Sequence, residues 1–507
     1  MRDLSRGAMA RRAATGLVSR ARCGLALAGL VASAASTQAQ AVRITGVTIT
    51  RYVEVRPLVT DSVPIDSTSG PGPLREATSR GVVVKCAPEA LYCRYLRSAD
   101  ESESTMSLIQ DLEASAWGFG AGIRAYAHLR GRAANDTGGD LWPQADDPID
   151  VLDAYVEIDR GRLRGRAGRQ WRSSSLGYYN FDGASLLVRP FERWSVDAFG
   201  GWGLVRGLNE SHTSGAIAAV EALPPPDRAL LFGVEVRGRP TTALSLAGTY
   251  QREVRNDRSA FYSDRVSADA ELRLGRMSGV SGSLVADLAT TEVNEALLRG
   301  WVPLPYRITL TAEARRYLPF FELWTIWGAF SPVGYTEGNA TLSWSDVPSR
   351  LVLQARGGWR RYGDTDAGVG FLPLEDSGWR IGTNGTWRAT DEWTLFAATH
   401  AELGFGAARS DADAGVRWEP SQRAFVGARV SGFQTAYEFR IGEGRVFAFG
   451  IDGGARLAAE VRIVGDVTMY RHRYSDGLPA TDWSQTRGSL RFEWTIGRDP
   501  GEPEDDS

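Results

Sequence analysis

Residues 265–274 read RVSADAELRL. Val266, Ala268, Ala270, Leu272 and Leu274 fall on one parity, and Arg265, Ser267, Asp269, Glu271 and Arg273 on the other. Successive side chains of an extended chain point to opposite faces, so this run has one apolar and one polar face. Wound as a helix, the same run would scatter its charges around the circumference. It is a strand.

The pattern recurs from residue 47 to residue 497. Met106, Leu108, Leu112, Ala114 and Ala116 oppose Ser107, Asp111, Glu113 and Ser115. Leu152, Ala154, Val156 and Ile158 oppose Asp153, Tyr155, Glu157 and Asp159. Ile308, Leu310, Ala312 and Ala314 oppose Arg307, Thr309, Thr311, Glu313 and Arg315. The last such segment sets Leu490, Phe492, Trp494 and Ile496 against Arg487, Ser489, Arg491 and Glu493. Nearly the whole body of the chain is therefore read as strands.

Composition narrows the class. Sixteen tryptophans, 16 tyrosines and 18 phenylalanines in 507 residues exclude a disordered chain. A net charge of −3 leaves no electrostatic footprint for nucleic acid, and none is expected as a partner. Beyond the leader no apolar run approaches the ~20 residues of a spanning helix. Spanning strands escape that test, because alternation cancels in a hydropathy average.

Arg11, Arg12, Arg20 and Arg22 precede CGLALAGLVASAA at 23–35, and Ala39-Gln40-Ala41 supplies an A-x-A cleavage pattern. Residues 1–41 are read as a secretory signal peptide. The barrel is expected over 42–497 and an acidic tail, RDPGEPEDDS, over 498–507. Cys86 and Cys93 are the cysteines left after the leader, and a close pair in an exported chain is expected to form a disulfide within the 58–105 loop.

Very short turns at 160–161, 190–193, 275–278, 419–422 and 457–458 alternate with long polar loops at 58–105, 132–149, 206–227 and 362–376. Tight turns at one end and long loops at the other are how outer-membrane β-barrels are built, with the long loops outside the cell. A soluble sandwich would bury the apolar face instead. Closing some twenty strands that way would leave an interior too wide for side chains to fill. The apolar faces also end in Trp194, Trp202, Trp359, Trp379, Trp387, Trp393, Trp418 and Trp494, as interfacial girdles require. The expected fold is an all-β transmembrane antiparallel up-and-down barrel of about 18–22 strands, 20 or 22 preferred, in the bacterial outer membrane. Lipid and lipopolysaccharide are its expected surroundings.

Counting from a strand at 47–57 gives about ten upward and eleven downward segments, and closure needs an even number. The mismatch lies between Tyr317 and Tyr335, where two downward strands need an upward one between them. YLPFFELWTIWGAFSPVGY is apolar on both parities there. It reads as the missing strand, a short helix or a segment folded into the lumen.

The stretch 162–189, RLRGRAGRQWRSSSLGYYNFDGASLLVR, resembles a strand–loop–strand of bacterial outer-membrane porins and of the alginate-export type of barrel. In those proteins G-R-Q ends one strand and D-G opens the next. Here the counterparts are Gly168-Arg169-Gln170 and Asp182-Gly183. The resemblance implies a passive channel or exporter for small polar or anionic solutes, or for polysaccharide. Simple parity places Arg169 on the apolar face, which a bulge or a place at the membrane edge accommodates. Trimers are common among such barrels, so a homotrimer is a possible assembly.

The inward parity is rich in arginine and in carboxylate. Arg162, Arg164, Arg166 and Arg172 form a ladder on one strand, and Asp153, Glu157 and Asp159 stand on the strand before it. Arg124, Arg130 and Arg189 extend the stripe. Such a stripe reads as a salt-bridged wall or as a selectivity element favouring anions.

Enzyme chemistry is not expected. His128, His400 and His472 lie on the inward parity and His212 in a loop, with no G-x-S-x-G elbow and no H-E-x-x-H. Asp364-Thr365-Asp366 and Asp411-Ala412-Asp413 do not continue into a calcium-binding loop. No metal or cofactor is expected. The alternative function is a closed structural or adhesive barrel that binds envelope polymers through its long loops.

Overall fold

Twenty-two strands close into one antiparallel ring. The structure is a computed structural model describing residues 41–55, 62–77, 82–86, 91–95, 103–120, 122–134, 149–204, 229–254, 261–318, 334–363, 376–404, 407–436, 444–474 and 483–497. Residues 1–40 and the acidic tail lie outside them, and Ala41, the last residue of the expected leader, already stands in the first strand.

The first ring strand is β1 (Ala41–Val55). A small separate sheet follows, of β2 (Ser62–Pro64), β3 (Thr68–Ser69), β4 (Leu74–Ala77), β5 (Val82–Cys86) and β6 (Tyr92–Tyr95). The ring resumes with β7 (Glu103–Trp117), β8 (Ile123–Ala134), β9 (Ile149–Arg160), β10 (Leu163–Ser174) and β11 (Gly177–Phe191). Next come β12 (Trp194–Gly203), β13 (Leu230–Gly238), β14 (Leu244–Val254), β15 (Phe261–Arg273) and β16 (Gly279–Asp287). They lead to β17 (Glu292–Leu304), β18 (Ile308–Tyr317), β19 (Tyr335–Asp346), β20 (Leu351–Tyr362) and β21 (Ser377–Arg388). The ring is completed by β22 (Trp393–Gly404), β23 (Ala407–Ser421), β24 (Ala424–Ala436), β25 (Gly444–Ala458), β26 (Val461–Tyr474) and β27 (Trp483–Gly497).

Each ring strand pairs with its chain neighbours, and β1 closes the ring against β27 from Arg43↔Gly497 to Val53↔Arg487. At one end every connection is two to five residues long, for example 161–162, 192–193 and 459–460. The other end carries the long ones. This sidedness matches the sequence expectation, with turn positions shifted by a residue or two.

The strand count needs a correction at 317–335. β18 and β19 pair directly, from Ile308↔Trp344 to Tyr317↔Tyr335, so no strand is missing between them. Residues 319–333 themselves lie outside the described residues. The direction changes at 288–291 and at Pro305–Arg307 are short and carry no polar loop, so alternation alone passes over them. At the second, Tyr306 and Arg307 take positive φ of 63° and 62° in a one-turn reversal.

The apolar parity faces outward all round the ring. Trp194, Trp387, Trp393, Trp418 and Trp494 lie on it at the short-turn end, and Trp202, Trp359 and Trp379 at the long-loop end. The expected girdle is thus two girdles, with the apolar band between them. Trp494 lies across Gly46 of β1, where any side chain would strike the indole.

The 58–105 segment, expected as a loop, holds the separate sheet in the order β2-β6-β5-β4-β3. Val63, Ala77, Val84, Cys86 and Cys93 form its core. Cys86 and Cys93 stand directly opposite on β5 and β6, with Cα atoms 4.2 Å apart, and are disulfide-bonded as expected. A sheet this small has little apolar surface to bury, and the covalent link compensates.

Candidate functional site: the lumen and its inward hairpin

The polar parity lines the lumen, and its arginines meet carboxylates across the strands. The register sets Arg164 opposite Asp159 and Arg166 opposite Glu157. Arg164 lies 2.7 Å from Asp159 and 3.9 Å from Glu157, and the Arg166 Nε donates to Glu157 at 2.6 Å. On the next strands Arg130 grips Asp111 with two hydrogen bonds of 2.6 and 2.9 Å, and Arg132 pairs with Asp150. Arg124 donates to Ser115 at 3.0 Å and lies over the Trp117 and Tyr126 rings.

One expected ladder member stands elsewhere. Arg162 is in the 161–162 turn, exposed at the short-turn end, because β10 begins at Leu163. Arg189 is at the same end, donating to the Gly161 carbonyl at 2.6 Å. The ladder proper is therefore Arg164, Arg166 and Arg172.

The largest departure is in the porin-like segment. β10 pairs with β9 only from Leu163↔Arg160 to Arg169↔Ala154. β11 pairs with β12 only from Phe181↔Gly203 onward. Beyond those limits β10 and β11 pair with each other, from Trp171↔Asn180 to Ser174↔Gly177, reversing at Ser175 and Leu176. Where the sequence suggests a loop, a two-stranded ribbon leaves the wall.

The ribbon crosses into the lumen. Ser175 donates to Asp269 of β15, with Oγ 2.7 Å from both carboxylate oxygens. Arg265 of the same strand donates to the Leu176 carbonyl at 2.9 Å and to the Tyr179 hydroxyl at 3.0 Å. Leu176, Tyr179 and Phe181 bury themselves against Phe199, Leu231 and Val285, which face inward from β12, β13 and β16. Arg172 ties the ribbon's flank down, 2.6 Å from Asp197 and 2.8 Å from Glu235, with its guanidinium over the Phe199 ring. The opposite ribbon face carries Trp171 stacked on Tyr178, both about half exposed. Trp171 lies against Asp153, whose side chain faces in from β9.

The shared residues form the hinge of this ribbon. Gly168 and Gly183 are directly opposite, as are Arg169 and Asp182. Gly168 has φ +129°, and a side chain there would strike the Ala154 carbonyl; one on Gly183 would strike that of Gly200. The backbones approach too closely for any other residue. Arg169 meets Asp182 in two hydrogen bonds, 2.7 and 3.1 Å, on the outward parity. Its third bond, 2.8 Å, goes to the Val151 carbonyl, on the part of β9 that β10 has left. The guanidinium thus replaces the missing ladder partner, which accounts for an arginine on the apolar side. Gln170 lies behind it, 2% exposed, accepting from Ser185 at 2.8 Å.

A second charged patch stands on the far wall, since β21 is eleven strands from β10 in the ring of 22. Glu337 is held by Arg360 at 2.6 Å and by Arg380. Glu402 is held by Arg360 at 3.4 Å and by Arg409 at 2.9 Å. Arg360 lies 4.2 Å over the Tyr335 ring, between Tyr317 and Tyr362. Sequence reasoning singled out neither this patch nor Arg265, Asp269, Trp171 and Tyr178. The patch is assembled by the registers of successive strands β19 to β23, and Arg265 and Asp269 meet the ribbon only because it folds inward.

His128 approaches Asp111 at 4.0 Å, and His400 lies 3.3 Å from Asp411. Asp413 pairs with Arg429. His212, Asp364 and Asp366 lie outside the described residues.

No family model matches the chain, and no curated protein matches it in sequence. Several solved structures share its outline. OpdK of Pseudomonas aeruginosa, solved with vanillate, is 9% identical with a TM-score of 0.41, over 90% of this chain and 99% of that one. A BenF-like porin from Pseudomonas fluorescens Pf-5 is 7% identical with a TM-score of 0.43, over 90% and 99%. OccAB2 of Acinetobacter baumannii is 7% identical with a TM-score of 0.38, over 90% and 98%. The fold rests on the strand ladder and not on these likenesses. A closed ring with an apolar outer band, two aromatic girdles and a charged interior is built for lipid outside and water within. The chain is a closed, 22-stranded antiparallel β-barrel with a lipid-facing exterior.

Proposed function

We propose that the barrel is a passive channel for small polar solutes, anions among them, and that the inward β10–β11 ribbon sets its width. The ribbon carries this reading. Twenty-two strands alone enclose a lumen wide enough to need a plug. Here a piece of the wall folds in and docks on β15 and β16, narrowing the bore with Trp171 and Tyr178 on its open side. Because Arg164, Arg166 and Arg172 each meet a carboxylate, the wall is nearly charge-balanced and discriminates weakly between ions. In this reading residues 1–41 direct export and are removed. The long-loop end, with the disulfide-bonded sheet, faces outside the cell, and the short turns face the periplasm.

The test is single-channel conductance of the mature protein in a planar bilayer, with ion preference read from the reversal potential in a salt gradient. Steady conductance with little preference is expected. Arg164→Ser with Arg166→Ser leaves Glu157 and Asp159 unmatched and should shift the channel to cations. A folded barrel that conducts nothing overturns the channel reading in favour of a closed structural barrel.

A further inference from the structure

The outward face carries five exposed arginines at the long-loop end. Arg316 and Arg361 flank Thr336 in one row across β18, β19 and β20. Arg445 stands directly opposite Arg473, and Arg471 opposite Phe447, across β25 and β26. The alternation leaves no doubt about the face. The ladder runs unbroken from Ile451↔Val467 through Phe449↔Met469 to Phe447↔Arg471 and Arg445↔Arg473, and the apolar members of this row are exposed. Among the described residues none of the five guanidiniums has a carboxylate partner. The outward Glu54 of β1 accepts from the Thr486 amide at 2.6 Å and the Tyr52 hydroxyl at 3.4 Å.

Next to the three-arginine cluster is a shallow apolar groove of about 900 Å³ on the same outward face. Its floor is made of small residues, Ala355, Gly385, Ala397, Ala412, Ala414 and Gly432, and Phe447 lies at its edge. Gly432 pairs with Phe447, and Gln434 with Arg445, one step nearer the rim. Phe447 thus borders both the groove and the cluster.

We infer that Arg445, Arg471 and Arg473 bind the phosphate of a phosphorylated glycolipid of the outer leaflet, with one of its acyl chains lying in the groove. Positive charge that has no carboxylate partner among the described residues, placed at the rim of the apolar band, calls for an anion, and guanidiniums suit phosphate by their forked donors. The continuous groove favours a lipid over a free phosphate ion, because only a lipid fills both parts. The inference rests on the long-loop end lying in the outer leaflet. An epitope inserted in 56–61 and labelled on intact cells reads that orientation separately.

The experiment is native mass spectrometry of the full barrel, extracted in mild detergent from outer membranes and then delipidated and titrated with lipid A. Wild type should retain lipid A on extraction and rebind it. Arg445→Ser/Arg471→Ser/Arg473→Ser should weaken rebinding roughly a hundredfold, at about fivefold per guanidinium near an anionic surface. The triple lysine variant should keep most of the binding, which separates charge from folding, with heat-modifiable migration confirming that each barrel is closed. Lipid A stripped of its phosphates should bind weakly. Equal binding of the dephosphorylated lipid, or an undiminished serine variant, overturns the inference. So does a lipid-free oligomer whose contact lies on the groove.

Discussion

Freeing the ribbon tip should widen the channel, and Leu176→Ser with Arg265→Ala is the perturbation. Leu176 is 3% exposed in the lumen cluster, and burying such a side chain contributes about 2 kcal/mol. Arg265 makes two hydrogen bonds to the tip, each contributing about 1 kcal/mol net beside lumen water. Together the two substitutions remove about 4 kcal/mol of docking, roughly a thousandfold in the ratio of docked to free ribbon. Ser175–Asp269 and Arg172 remain, so the ribbon should exchange between docked and free instead of leaving altogether. Single-channel recording should show higher mean conductance and new flicker noise, with each single variant intermediate. Adding Ser175→Cys and Asp269→Cys, which replace two side chains already in contact, should restore the quiet wild-type level under oxidation and lose it under reductant. A double variant with wild-type amplitude and noise, whose cysteines also fail to cross-link, would refute the docked ribbon as the constriction.

Three further outcomes follow from the same geometry. Gly168→Ala should cost about 1–3 kcal/mol through a strained positive φ and a clash with the Ala154 carbonyl, read as a lowered midpoint of heat modifiability; an unchanged midpoint counts against the hinge. Arg169→Gln should destabilise the barrel more than Arg169→Gln combined with Asp182→Asn, because the single change strands a carboxylate on the outward face; urea unfolding of the cycle reports the coupling, and additive effects would remove it. Cys86→Ser with Cys93→Ser should loosen the small sheet by about 2–3 kcal/mol and expose 56–102 to protease while leaving the barrel's heat modifiability intact. Loss of the whole barrel in that variant would show that the sheet does not fold separately.

Alternation made the fold legible because each strand has water on one side and hydrocarbon on the other. RVSADAELRL reports both environments directly, and so do the eight girdle tryptophans. The disulfide was legible from spacing and export. The strand count was not fully legible: the reversals at 288–291 and Pro305–Arg307 carry no polar loop, and the direct β18–β19 pairing is a tertiary fact. In the lumen, Arg164 faces Asp159 and Arg166 faces Glu157, a neighbourhood that parity suggests because adjacent strands inherit their register from a tight turn. Arg162 does not join them, because a shift of one or two residues at a strand end moves a side chain from wall to turn.

The sequence by itself determined that strands span a bilayer, which face meets lipid, and that charges line the inside. Each of these depends only on the nearest neighbours along the chain and on the solvent each face meets. Only the tertiary structure decided that G-R-Q and D-G are cross-strand partners, that the hairpin between them folds inward, and that its tip rests on Arg265 and Asp269. Those contacts join residues some ninety positions apart across an open lumen, and no local period encodes which stretch of wall will turn away from lipid.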